Sequence, residues 1–205
     1  MAICGLLLGL LATRGIAQEP AADLSLDIVG GITIPVGAAA NVAGTGPLLA
    51  IGLNHRIDDR FSLVTEFHHS VFTDRGLRIV ETTDVNLSRV SLGVEVRLTR
   101  PASHWRLRSR LAGGVTRVGT NPVRSPPGGG PTIFNISKIN TDAFSLTGAL
   151  QIDRRVGGFV PFVRSQVEVH FIGSNLGLLR GIDEEIGDSG PLVGLPIQLG
   201  LRFGL

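Results

Sequence analysis

Residues 89–111 read RVSLGVEVRLTRPASHWRLRSRL, and two opposed registers run through them. Val90, Leu92, Val94, Val96 and Leu98 fall on one parity, while Arg89, Ser91, Glu95 and Arg97 fall on the other. After a short connection Trp105, Leu107 and Leu111 again oppose Arg106, Arg108 and Arg110. A period of two is that of a β-strand, whose successive side chains point to opposite faces. One face of both strands is apolar, and the other is charged at most positions.

The pattern continues in both directions. Leu24, Leu26, Ile28, Ile32 and Ile34 oppose Ser25, Asp27 and Thr33; Leu49, Ile51 and Leu53 oppose Ala50, Gly52, Asn54 and Arg56. Phe61, Leu63, Thr65 and Phe67 oppose Ser62, Glu66 and His68. Downstream, Phe144, Leu146, Leu150 and Ile152 oppose Ser145, Thr147, Gln151 and Asp153. Phe159, Val163, Val167, Val169 and Phe171 oppose Arg164, Gln166, Glu168 and His170, and Ile197, Leu199, Leu201 and Phe203 oppose Gln198, Gly200 and Arg202. Eight such segments, each near the ~9–11 residues a tilted strand needs to cross a bilayer, predict an all-β fold. The expected architecture is an eight-stranded antiparallel transmembrane up-and-down β-barrel.

Alternation is shared with soluble lipocalin-like barrels, whose apolar face turns inward. The connections favour the membrane form. Short ones (Ile57–Arg60, Thr99–His104, Arg154–Gly158) alternate with long ones (Gly37–Gly46, Thr73–Asp84, Gly119–Lys138, Gly173–Pro191). Membrane barrels pair short periplasmic turns with longer extracellular loops in this way. Phe61, Trp105 and Phe159 each follow a short connection and Phe203 nearly ends the last strand, so these four are expected to form an aromatic girdle at the periplasmic interface. Phe72, Phe144 and Phe171 are expected at the opposite rim.

Charged residues are 18% of the chain, below the ~25% of average soluble domains. The formal charge of +2 gives no sign of a nucleic-acid surface. Ala2–Ala12 is an apolar run too short to span a bilayer, and Gly15-Ile16-Ala17 supplies small residues for signal-peptidase cleavage before Gln18. Residues 1–17 are therefore expected to be a signal peptide and 18–205 the barrel domain. Cys4, the single cysteine, falls in the leader, so neither a disulfide nor a cysteine metal site is expected. No cofactor is expected.

The leader, the eight two-period strands and the terminal pattern Ile197-x-Leu199-x-Leu201-x-Phe203-x-Leu205 resemble the small outer-membrane barrel superfamily of Gram-negative bacteria, which includes the OmpA-type transmembrane domain and its OmpX- and OmpW-like relatives. The resemblance implies an integral outer-membrane location. It also implies contact with outer-membrane lipid and lipopolysaccharide, delivery to the barrel-assembly machinery through the C-terminal strand, and a monomer. In the family that strand commonly ends in an aromatic residue; here Leu205 is last and Phe203 stands two residues earlier.

Charges inside so narrow a barrel must pair. Glu66, Arg89, Glu95, Arg108, Arg110, Arg164 and Glu168 are therefore expected to form a lumenal ion-pair network, with Glu95 opposite Arg108, that plugs the barrel; a gated ion path is the alternative. Glu66, His68 and Ser70 make the most chemical-looking stretch. A His-x-Ser pair beside a carboxylate is similar to the outer-membrane lipid A deacylases, which hydrolyse esters with Ser, His and Glu. Those enzymes carry their pair late in the chain and facing lipid, whereas His68 and Ser70 are expected on the third strand facing the lumen. Asp183, Glu184, Glu185 and Asp188 lack EF-hand spacing and read as a solvated loop. Pro126–Pro131 reads as a loop tip. The function expected is non-enzymatic: membrane integrity, surface interaction or narrow solute passage. The alternatives are a lipid-modifying hydrolase and a soluble periplasmic lipocalin-like carrier.

Overall fold

The computed structural model describes residues 23–37, 40, 44–72, 85–100, 103–120, 140–171 and 191–205. The expected signal peptide, the Asp183–Asp188 cluster and the Pro126–Pro131 stretch lie outside the described residues. Eight strands, β1 (Leu24–Val36), β2 (Gly46–Arg56), β3 (Phe61–Phe72), β4 (Val85–Arg97), β5 (Trp105–Thr120), β6 (Asn140–Arg154), β7 (Phe159–Phe171) and β8 (Leu192–Gly204), form one closed barrel in sequential order. Every neighbouring pair is antiparallel, and β1 closes on β8.

The register fixes the barrel's shape. Laddered partners run from Leu26 through Leu53, Thr65, Leu92, Gly113, Leu146, Val169 and Val193 and return to β1 at Val36. The return point is ten residues beyond the start (36 − 26), which is the shear of the barrel. At ~3.3 Å per residue and ~4.8 Å between strands, this shear tilts the strands by about 40° and gives a backbone radius of about 8 Å. Side chains fill an interior of that width.

Outward positions are apolar. Leu49, Leu92 and Leu111 are each more than 60% exposed on the outer wall. At the tilt above, the outward side chains from Trp105 to Val115 on β5 cover about 25 Å of height, the thickness of a lipid-facing apolar band. The same geometry puts Phe61, Trp105, Phe159 and Phe203 within about 5 Å of one level. Phe159 and Phe203 are direct partners, and Arg154 lies 5.5 Å over the Trp105 ring. Phe72 stands at the loop end of β3 but not on the outer wall. It turns inward, 3% exposed, because it shares parity with Glu66, His68 and Ser70.

The short connections are locally determined. In the β2–β3 turn the Asp58 carboxylate accepts from the N–H groups of Arg60 and Phe61, both at 2.7 Å. These two bonds hold the Asp58 carboxyl below the usual carboxylate range. The β6–β7 hairpin turns at Gly157, whose φ of 61° is left-handed and favours glycine.

Candidate functional site

The inward parity of the strands brings the charged residues together in the lumen, out of water and out of lipid. A chain of ion pairs climbs from the end bearing the short turns (the turn end) toward the end bearing the longer connections (the loop end). Arg106 Nε and Arg108 Nε donate to the two oxygens of Asp153, each at 2.7 Å. Arg108 Nη1 also reaches Glu95 at 2.8 Å, and Arg110 Nη2 meets the other Glu95 oxygen at 2.8 Å. Arg110 Nη1 and Arg164 Nη1 both donate to Glu66 Oε2, at 2.7 and 2.6 Å. Arg89 links Glu66 at 3.3 Å to Glu168. Asp27 and Arg202, on the strands that close the barrel, join at 2.7 Å, and Arg202 Nη1 reaches Glu95 at 2.9 Å. Most of these carboxylates serve two or three guanidiniums, so no member can be removed without unbalancing several others.

One pairing differs from expectation. The residue opposite Glu95 is Arg110, and Arg97 stands opposite Arg108. Arg108 reaches Glu95 along the diagonal, a distance its long side chain spans. Sequence reasoning missed Phe162, whose ring sits in the lumen 4.9 Å from the Arg164 guanidinium and 6.0 Å from that of Arg202. Its parity with Arg164 was the available signal. Gly200 makes room for it, since a Cβ there would lie 2.2 Å from Phe162 Cζ. Asn54, Gln151, Gln166 and Gln198 also bond within the network.

His68 and Ser70 face the lumen, 2% and 1% exposed. Glu66 is committed to three arginines, and the carboxylate against His68 is Glu168, 2.8 Å from Nδ1. His170 completes this group, 3.0 Å from Thr116 Oγ1 and 3.5 Å from Glu168. Above it, toward the loop end, Phe72, Leu87 and Val118 pack together, with Val85 and Leu192 against them. Among the described residues no group of three or more His, Cys, Asp or Glu is arranged to hold a metal ion.

A closed barrel with an apolar wall outside and a paired, charged interior can lie only in a membrane. This is the fold of the small outer-membrane β-barrels. Neisserial surface protein A has it, at 11% identity over 91% of this chain and 100% of that chain, with a TM-score of 0.62. The attachment invasion locus protein Ail of Yersinia pestis has it too, at 11% identity over 89% and 99% of the two chains, with a TM-score of 0.51. No protein-family model and no curated protein matches the chain.

A polar row marks the loop-side limit of the apolar wall. His69, Ser88, Arg117 and Asp142 are successive partners across β3 to β6 on the outer face. His69 Nδ1 lies 2.9 Å from Ser88 Oγ, and Arg117 Nε donates to Asp142 at 2.9 Å. Directly below lies the row Phe67, Val90, Val115, Phe144 and Phe171.

Proposed function

We propose that the chain is a non-enzymatic outer-membrane barrel with a structurally plugged lumen, acting at its membrane wall and through its longer connections and not as a conduit. The observation that carries this reading is the continuous ion-pair chain from Asp153 to Glu168, with the apolar cluster of Phe72, Leu87 and Val118 beyond it. An ion crossing this lumen would have to separate several buried pairs at once, which is costly. Narrow solute passage therefore has less support than membrane integrity or surface interaction. The test is conductance of the refolded protein in planar bilayers: silence is expected, and stable unitary steps would overturn the plug.

The hydrolase reading loses support for a geometric reason. An acyl ester in the membrane meets the outer wall, whereas the Ser70 hydroxyl is buried on the inner one. Ser70→Ala is expected to leave lipid acylation unchanged.

The outward row of His69, Ser88, Arg117 and Asp142 supports contact with lipopolysaccharide or other lipid headgroups at the loop-side interface. Phe203 and Leu205 support recognition of the last strand by the assembly machinery. Barrel closure leaves no free sheet edge, which supports a monomer.

A further inference from the structure

We propose that the mouth of the lumen at the turn end is a binding site for a small oxyanion of the phosphate class. The cavity there is lined by seven arginines and three carboxylates. Arg56, Arg97, Arg106, Arg108 and Arg202 come from the strands, and Arg60 and Arg155 from beside the turns, against Asp23, Asp58 and Asp59. The carboxylates deeper in the barrel do not make up the difference. Asp153 is shared by Arg106 and Arg108, Glu95 by Arg108, Arg110 and Arg202, and Asp27 by Arg110, Arg164 and Arg202. A concave site with an excess of one sign of charge and low-dielectric walls concentrates the opposite ion.

Asn54 gives an independent sign of the same need. It is 3% exposed and lines this cavity. Its Oδ1 accepts from Arg110 and Arg202 at 3.3 and 3.4 Å, which fixes the amide orientation. Its buried Nδ2 has no acceptor. A buried donor left without a partner costs free energy that an acceptor recovers. The site thus holds more guanidinium than carboxylate groups and one unsatisfied amide donor, which is the complement of a tetrahedral oxyanion. The cavity lies at the turn end, away from the apolar cluster of Phe72, Leu87 and Val118.

Free phosphate and a lipid phosphate headgroup share this chemistry, and one experiment separates them. Inorganic phosphate is titrated calorimetrically into the folded barrel in maltoside micelles, against sodium chloride at matched ionic strength. Saturable heat specific to phosphate is expected. If phosphatidylglycerol in the micelles abolishes that heat, the occupant is a headgroup; if it does not, the occupant is the free anion. Arg97→Gln should weaken phosphate binding at least tenfold. Asn54→Asp places an acceptor carboxylate in the cavity and should do the same. Folding of each variant is checked by heat-modifiable gel mobility, and either variant suffices if the other fails to fold. Heat no greater than that of chloride overturns the proposal, and so does undiminished binding in a folded variant.

Discussion

Arg164 on β7 and Glu66 on β3, four strands apart in the barrel, meet across the lumen at 2.6 Å. The pair ties opposite walls together directly, without passing through the hydrogen-bonded ladder. Removing one partner leaves the other charge buried and under-compensated, which typically costs ~3–5 kcal/mol. Glu66→Gln and Arg164→Met are each expected to lower the unfolding free energy, measured by urea denaturation, by an amount in that range. The double variant should lose less than the sum of the two, since both charges are then gone.

Gly200 and Phe162 make a second cross-strand pair that can be tested by compensation. A Cβ at position 200 would stand 2.2 Å from the Phe162 ring, so Gly200→Ala should overpack the lumen and cost ~1–3 kcal/mol. Phe162→Leu in the same chain should recover part of that loss in equilibrium unfolding. A Gly200→Ala barrel as stable as the parent would show that the ring has room to move.

Position on the outer wall should grade the cost of a charge. Leu111 lies near the middle of the apolar band, 69% exposed, and Leu98 near its turn-side edge. Leu111→Arg is expected to cost ~2–4 kcal/mol and Leu98→Arg ~0–1 kcal/mol, measured by unfolding from lipid vesicles. Equal costs would misplace the membrane.

The β2–β3 turn should show a signature in acid. Asp58 accepts two backbone N–H groups, so its carboxyl titrates lower in the folded state than in the unfolded chain. For a depressed acid the contribution is present above the unfolded pKa and is lost as pH falls through the folded one. Asp58→Asn should therefore lower the unfolding midpoint at neutral pH, with the gap to the parent narrowing in acid. A gap that does not change with pH would mean that the charge on Asp58 is irrelevant to the turn.

Strand number, parity and the alternation of short and long connections were legible in the sequence because each depends on the period of two alone. The shared level of Phe61, Trp105 and Phe159 was legible because each follows a short connection. Partners were harder to read. Glu95 meets both Arg108 and Arg110 because a guanidinium reaches its direct and its diagonal neighbour alike, and parity does not say which. Cross-lumen contacts such as Arg164–Glu66 depend on the shear, which sums the offsets of all eight ladders. Phe72 and Phe162 were obscured by their type: an apolar residue on the polar parity reads as an irregularity until the lumen around it is seen.

The partner offset is constant along every described ladder, with no extra residue anywhere. Such a wall has no slack for changes of length. A substitution alters one side chain, but one residue inserted within a strand exchanges inside for outside in everything beyond it, and sends arginines toward lipid and leucines toward the charged centre. In a library of single-residue deletions, survivors should fall in the connections and almost nowhere else. Sequence drift in this protein is thus channelled: the strands can change their letters but not their length, and the connecting segments are free to change both.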